Sequence, residues 1–289
     1  MSAVTLPSKD GSFVQKDKAH LDIKGALDLS FKFKDGETSL DRLYYRDPLK
    51  LLFPRGDVMT AALITTGGGL FGGDHYDIRV KLGEGAQALV CAQASEKVYK
   101  STGEDCIVDV DLSVEPSACL EWLPQETILF DRSRFKRKTT LHVAKNGVAC
   151  VGEIIVFGRL ASGEEVEHGV VREEWQVSYD GRDIWRDILY LKDNIQKPLN
   201  HPSAFNGARA VASCVLVFEN AQEKLDYVRD ALGGFENVFS GATAFENIII
   251  CRWLAKDPYD LRKAFGFFWT RIRSDILMRE KELPRLWQC

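Results

Sequence analysis

Residues 65–82 read TTGGGLFGGDHYDIRVKL, in which five glycines are followed by alternating polar and apolar side chains. The glycines satisfy the GxGxxG pattern of dinucleotide-binding loops, but such a loop must open a helix whose N-terminus receives the phosphate. The alternation from His75 to Leu82 predicts a β-strand instead. We therefore expect a sharp corner or bulge, with glycines chosen for positive φ and close backbone approach, and no nucleotide site.

The same period-two alternation recurs further along the chain. Apolar residues occupy every second position in 108–114 and again in 175–179, where Asp180 and Gly181 then predict a tight hairpin turn. Alternation of this kind places one face of a strand in a core and the other in water. The chain is therefore predicted to be mainly β.

A weak internal repeat underlies this pattern. The segments GEGAQALV (83–90), EPSACLEW (115–122) and KNGVACVG (145–152) each follow an alternating strand and lead through a turn into a short apolar strand. Repeats at this period predict stacked strands in a superhelical, β-helix-like or sandwich body. Three ordinary hairpins in an antiparallel sandwich fit the segments equally well.

Two helices are predicted near the C-terminal end. The first covers 221–232 and closes on glycines. The second begins at Asp257, an N-cap followed by proline at the first helical position, and is predicted to end at Pro284. The segment 191–209, rich in Pro, Asn, Ser and Gly, is predicted to be a long surface loop.

Composition excludes several classes of protein. With 45% apolar and 28% charged residues the chain is expected to be globular, and a net charge of −4 argues against nucleic-acid binding. No apolar run approaches the ~18 residues of a membrane span, and no signal peptide is visible, so a cytoplasmic location and no membrane contact are expected. The seven cysteines lack CxxC spacing, which favours reduced core thiols over a zinc site.

Four longer blocks carry a family resemblance, which extends from about Leu43 to LPRLW (283–287). The blocks are GGGLFGGD (67–74), AQASEKVYKS (92–101), LEWLPQETILFD (120–131) and GRLASGE (158–164). Together these blocks resemble the urease accessory protein UreD, called UreH in some organisms.

The resemblance implies a function that composition does not show. UreD-type proteins are not enzymes: with UreF and the GTPase UreG they dock on urease apoprotein and help to place nickel in its active site. It further implies an internal passage for nickel in transit, no tightly bound cofactor, and a mostly β superhelix with two late helices. One domain over 1–289 with a flexible segment 1–20 is expected, and a dimer of the accessory complex is compatible with the resemblance.

Carboxylates within the matching blocks are the candidate nickel ligands, because oxygen donors suit Ni²⁺ and an open set releases it easily. These candidates are Asp74, Glu96, Glu126, Asp131, Glu153 and Glu164. Glu121 and Glu126 stand among Leu, Trp, Ile and Phe, and pairing with Lys97, Arg132 or Arg172 is the structural alternative for these acids. Asp74 has the further alternative of capping its own turn. The predicted metal-passage residues are Asp74, Glu126 and Glu164, and the predicted partner-contacting or functional residues are Lys97, Ser101, Asp131 and Arg172.

A second function of a different class is a β-solenoid polysaccharide hydrolase or lyase. In that hypothesis Glu126 and Asp131 would form the acid pair, as two carboxylates do in glycosidases. The missing secretion signal counts against it.

Overall fold

The computed structural model describes residues 22–287; the segment 1–20 and Cys289 lie outside the described residues. The strands are, in chain order, β1 (Lys24–Lys34), β2 (Glu37–Arg46), β3 (Leu49–Leu52), β4 (Met59–Thr65), β5 (His75–Leu82), β6 (Gln87–Ala92), β7 (Glu96–Val98), β8 (Cys106–Val114), β9 (Cys119–Leu123), β10 (Thr127–Leu129), β11 (Arg134–Val143), β12 (Val148–Phe157), β13 (His168–Tyr179), β14 (Arg182–Asn194), β15 (Ala210–Val217), β16 (Val238–Phe245) and β17 (Ile248–Ala255). The helices are α1 (Gln196–Asn200), α2 (Leu225–Ala231) and α3 (Pro258–Asp275), and 3₁₀ turns cover Leu160–Ser162, Ala221–Lys224 and Arg285–Trp287.

Two large sheets face each other. Sheet A has the strand order β14-β13-β11-β8-β5-β1-β2, and sheet B has the order β16-β17-β15-β12-β9-β6-β4-β3, with β10 and β7 added beside β12. The chain passes from one sheet to the other and back, so that β5, β8, β11 and β13 pair in parallel in sheet A. In sheet B the strands β4, β6, β9 and β12 are likewise parallel.

This parallel stacking settles the meaning of the repeat. Gln87 pairs with Cys119, and Cys119 pairs with Val148, so the three repeated segments lie side by side in adjacent coils. The superhelical prediction is confirmed, and the alternative of three antiparallel hairpins is wrong.

The buried residues form two layers. One lies between the sheets and is built from the inward positions of alternating strands such as Tyr76, Ile78 and Val80 of β5. The other lies between sheet B and the late helices. Sheet B is therefore covered on both faces, which explains why β12 is an almost uninterrupted apolar run, whereas the outer face of sheet A carries charged side chains.

The glycine cluster forms the predicted corner into β5. Asp74 is fully buried, and its carboxylate accepts hydrogen bonds from the backbone N–H groups of Phe71 and Ile23, both at 2.9 Å. A Cβ at Gly69 would lie 2.5 Å from the Lys97 carbonyl oxygen, and Gly69 has a φ of +135°. Close approach of two chain segments therefore requires glycine here.

Both late helices are found where the sequence predicts them. Asp257 caps α3 by accepting a hydrogen bond from the Tyr259 N–H at 2.8 Å. The predicted end at Pro284 is wrong, because the helix stops at Asp275 and the chain turns back. The Arg273 guanidinium then binds the carbonyl groups of Glu280 and Glu282 and holds the returning segment against the helix.

The predicted surface loop 191–209 is also partly wrong. β14 continues to Asn194 and a short helix follows, because Leu191, Ile195 and Leu199 are buried in the layer between the sheets. The Asp180-Gly181 hairpin turn is confirmed, with both residues at positive φ.

The six cysteines of residues 22–287 are unpaired thiols, five of them buried, as predicted. None of the helices in this range combines the length and the apolar character that a bilayer crossing requires.

The two ends of the coil stack leave apolar side chains exposed. On the edge strand β2, Leu43 and Tyr45 pair with the core residues Leu29 and Leu27, so they continue the inner layer beyond its covered part. At the other end, Phe245 on β16 pairs with the buried Ile248 yet is 56% exposed. Among residues 22–287, no further strand covers the inner layer beyond β2 and β16.

Replacing Gly152 on β12 with alanine should destabilise the protein. The new Cβ would lie 2.6 Å from the Phe265 ring and 3.0 Å from the Trp269 ring, and overpacking of this kind costs roughly 1–3 kcal/mol. The free energy of unfolding in urea measures the effect. Gly241→Ala, on an exposed edge strand with no atom near the new Cβ, is the control; equal stability of the two variants would contradict the described packing of α3.

Candidate functional site

A cavity of about 280 Å³ lies between the sheets beneath the glycine loop. Its walls include Ile78, Val108 and Phe135, and its outer part is bounded by residues 67–69 and 95–97. Gly67 and Gly68 are exposed, so the cavity, here called cavity 1, reaches the surface at this loop.

The outer part of cavity 1 is polar. The Thr65 hydroxyl donates to the Glu96 carboxylate at 2.7 Å. Burial raises the pKa of Glu96 above its ordinary value. The Tyr76 hydroxyl is buried, lines the same cavity and has no hydrogen-bond partner among residues 22–287. A phenol, a hydroxyl and a carboxyl group therefore line one entrance to the interior.

A second cavity of about 240 Å³, called cavity 2, continues the interior towards the other end of the stack. It is lined by Trp175, Leu189 and Ser213 and reaches the exposed residues Ala204 and Arg252. Near this surface the Arg252 guanidinium forms an ion pair with Asp187 at 2.6 Å. Glu153 lines both cavities, so the two are adjacent and its side chain lies between them.

A buried cluster of charges occupies the meeting point. Arg137 on β11 donates two hydrogen bonds to the Glu173 carboxylate on β13, at 3.0 and 2.9 Å. Its Nη1 lies 2.8 Å from Oε2 of Glu153 and donates to the Thr127 hydroxyl at 3.0 Å. Trp122 Nε1 donates to the other oxygen of Glu153 at 3.1 Å. One guanidinium thus faces two carboxylates.

The surroundings of this cluster shift the pKa values of its three ionisable side chains. Burial raises the pKa of Glu153 to about 7 despite the nearby Arg137, and burial also raises the pKa of Glu173. The two carboxylates in turn hold the pKa of Arg137 above its ordinary value, although burial acts the other way.

Glu126, a predicted metal-passage residue, has structural partners. Its carboxylate accepts from Arg262 Nη1 of α3 at 2.6 Å and from the Ser95 hydroxyl at 2.8 Å. Arg262 also donates to the Trp287 carbonyl and stacks over the Trp287 ring. Glu126 therefore ties α3 and the C-terminal segment to the strand layer.

Glu121 serves in the same way. Its carboxylate accepts from Arg273 Nε at 2.8 Å and from Trp269 Nε1 at 3.1 Å. Arg273 Nη2 also donates to both carboxylate oxygens of Asp57, at 2.8 and 2.9 Å. Glu121 and Glu126 of LEWLPQETILFD are ion-paired, as the structural alternative proposed, but their partners are Arg273 and Arg262 of α3. The third acid of this block, Asp131, lies 3.5 Å from Arg132 Nε, one of the partners that the sequence suggested.

Three of the remaining predicted residues, Lys97, Asp131 and Glu164, lie on one surface, which we call the motif surface. It is formed by Phe71, Lys97, Tyr99, Phe130, Asp131, Arg159 and Glu164, from all four family blocks. Tyr99 stacks on Phe71 with ring centroids 4.6 Å apart and meets Phe130 edge-on at 4.8 Å, while Arg159 lies over the Phe130 ring.

Hydrogen bonds fix the acidic side of this surface. Glu164 pairs with Arg159 and accepts from the Asp131 N–H at 3.0 Å. Asp131 accepts from the N–H groups of Glu167 and His168 at 2.8 and 3.0 Å. Burial, which would raise the pKa of Asp131, is outweighed by these donors, so this pKa lies below its ordinary value.

Two predicted residues lie apart from the aromatic stack. The Ser101 hydroxyl donates to the Glu104 carbonyl at 2.5 Å and accepts from the Gly103 N–H, so it shapes the loop that packs on Gly72. Arg172 lies on the outer face of sheet A, paired with Glu174 at 2.5 Å. Asp74, described above, is buried under the glycine corner. The metal and partner roles of these residues stay predictions.

Sequence reasoning missed the central arginine. In FKRKTTLHV (135–143) Arg137 has the same parity as Phe135 and Leu141, which are buried. Glu173 likewise shares the parity of Val171 and Trp175 on β13. Two inward-facing charges of opposite sign on successive alternating strands are the signal that could have identified the pair.

Within residues 22–287, no three His, Cys, Asp or Glu side chains converge in a way that could hold a metal ion. The interior carboxylates Glu96, Glu153 and Glu173 are instead distributed over the two cavities. This arrangement can contact a cation at successive positions without enclosing it.

Comparison with known proteins identifies a family that matches almost the whole described chain. A family model described as UreD urease accessory protein matches residues 24–288. The chain belongs to the UreD urease accessory protein family. A relative named urease accessory protein UreD from Magnetococcus marinus is 39% identical over 272 residues, covering 92% of this chain and 94% of the relative.

Other UreD relatives are similar over nearly the same length. The protein of that name from Mesorhizobium japonicum is 37% identical over 265 residues, covering 91% of this chain and 93% of its own. The UreD of Methylobacterium sp. strain 4-46 is 36% identical over 259 residues, with 88% and 90% covered. The family resemblance seen in the four blocks is confirmed.

In this member of the UreD family, stability should fall as pH rises from about 5 to 8. Glu153 titrates near 7 in the folded protein but near ~4.3 in an unfolded chain, so the folded state binds more protons in this window. The effect is on the order of 3 kcal/mol over the whole window, since each pKa unit corresponds to about 1.4 kcal/mol.

Glu153→Gln should remove this part of the pH dependence, measured as the free energy of urea unfolding at pH 5 and pH 8. Glu84→Gln, at an exposed position, should leave it unchanged. A slope in Glu153→Gln equal to that of the wild type would show that Glu153 does not titrate in this range.

Glu126→Gln should loosen the C-terminal segment of the same protein. The substitution removes the ion pair with Arg262, which also holds the Trp287 carbonyl. We expect faster amide hydrogen exchange over 276–287, with the strands of sheet A unaffected. Glu236→Gln, at an exposed position, is the control, and unchanged exchange in Glu126→Gln would leave Glu126 available for another role.

Proposed function

We propose that this chain is a non-catalytic scaffold that binds urease apoprotein and, with UreF and UreG, delivers nickel to the urease active site. In this proposal nickel is cargo in transit and not a resident cofactor of the chain. The proposal combines membership of the UreD family with the interior geometry of this chain.

The observation that carries the proposal is the pair of cavities meeting at Glu153. One cavity begins at the exposed glycine loop and the other reaches the exposed residues Ala204 and Arg252, and only the Glu153–Arg137–Glu173 cluster separates them within the layer between the sheets. A cation crossing this layer would meet Glu96 first, then Glu153 and Glu173. These are oxygen donors of the kind that bind Ni²⁺ without the tight hold of thiolates.

The motif surface supports a partner role at one end of this path. Lys97 lines both cavity 1 and the groove of the motif surface, so the groove lies beside the entrance. The groove has a volume of about 1000 Å³ and is lined by Tyr99, Tyr259 and Arg159. Aromatic and arginine side chains are enriched at protein contact sites. A partner seated there would stand at the mouth of cavity 1.

No observation on residues 22–287 supports the polysaccharide hydrolase or lyase hypothesis. Glu126 is held by Arg262 and Ser95, and Asp131 by two backbone N–H groups. We do not propose it.

Co-expression tests the function directly. Urease subunits, UreF and UreG are produced with and without this chain, and urease activity and nickel content are measured. We expect both to fall to background only when this chain is absent. Full nickel loading without it would overturn the proposal.

Ser213→Phe tests the interior route. Ser213 faces cavity 2 and pairs with Glu153 across β12 and β15, so a phenylalanine would fill the cavity. We expect nickel content of urease to drop while co-purification with the partners persists. Thr243→Phe, on the exposed edge strand β16, is the matched control, and normal loading with Ser213→Phe would exclude transit through cavity 2.

A further inference from the structure

The Arg137 guanidinium lies where the two cavities meet. Arg137 lines cavity 1, Glu173 lines cavity 2, and Glu153 lines both. The guanidinium is within 3.0 Å of a carboxylate oxygen of each glutamate. It therefore fills the position at which a cation between these carboxylates would be bound.

Several contacts keep the guanidinium in this position. Its planar fork matches the Glu173 carboxylate with two parallel hydrogen bonds, a geometry that lysine cannot reproduce. The Thr127 hydroxyl accepts a third hydrogen bond, and the charge lies 5.5 Å from the Phe135 ring centroid. The side chain is 6% exposed.

Without this arginine the two buried carboxylates would have no counter-charge. Like charges at close range in a weakly polar interior bind a divalent cation strongly, because attraction is poorly screened there. A conduit with such a site would retain its cargo. Arg137 supplies a cation that competes for the same oxygens and cannot leave.

We propose that Arg137 is a covalently attached counter-cation that lowers the affinity of the passage for a divalent metal ion. The ion must displace the guanidinium from Glu153 and Glu173 and is then displaced by it. This inference rests on the proposed function. It assigns Arg137 a positioning and specificity role for which the family comparison provides no residue.

The test measures nickel binding by the purified full-length chain, using equilibrium dialysis against NiCl₂. Arg137→Gln should gain one bound Ni²⁺ per chain, held about tenfold or more tighter than any ion at this position in the wild type. The triple variant R137Q/E153Q/E173Q should lose that gain. Lys138→Gln, which removes a charge from the exposed face of the same strand, should behave like the wild type.

Arg137→Lys covers the case in which Arg137→Gln does not fold. The lysine ammonium keeps the charge but cannot donate two parallel hydrogen bonds to the Glu173 carboxylate as Arg137 does. Nickel should therefore bind more tightly than in the wild type. No gain of nickel in either folded variant, or an equal gain in the triple variant, would overturn the inference. Because dialysis involves neither urease nor the other accessory proteins, its outcome is separate from that of the co-expression test.

Discussion

The fold depends on parallel, in-register pairing between successive coils of the chain. Tyr76, Val108, Arg137 and Glu173 occupy equivalent positions on β5, β8, β11 and β13, so they form one row across the inner face of sheet A. Register therefore decides which inward side chains become neighbours. Arg137 on one coil lies beside Glu173 on the next because β11 and β13 pair in register at these two positions. The polar centre of the interior is a product of that stacking.

Sheet B adds a second constraint, since it must be covered on both faces. Its outer face is closed by α2 and α3, and the closure is fastened by charged groups as well as by apolar packing. Arg262 and Arg273 of α3 reach Glu126 and Glu121 on the sheet side. Buried ion pairs of this kind add little net stability but make wrong placements costly. Glu121 and Glu126 of the most distinctive sequence block thereby orient the helix layer, while the inner face stays free to enclose cavities.

Local signals predicted most of the architecture. Alternation located the strands, the cap at Asp257 located α3, and the missing helix after the glycines excluded a nucleotide loop. The predictions from sequence failed where the structure depends on contacts between residues that are far apart in the chain. Arg262 and Arg273 lie 136 and 152 positions from their glutamate partners, so nothing local assigns them. The burial of Ile195 and Leu199 inside a polar-looking segment depended equally on the far side of the core. Arg137 was accessible from strand parity alone, because its inward position follows from the pattern of β11.

The open inner layer at Tyr45 and at Phe245 has a consequence for how this protein behaves in concentrated solution. Among residues 22–287 no strand covers the edge strands β2 and β16. The coil stack therefore has a direction of growth, since both ends offer apolar surface in the plane where the next strand would lie. Self-association should therefore be anisotropic, producing end-to-end strings in preference to compact clumps.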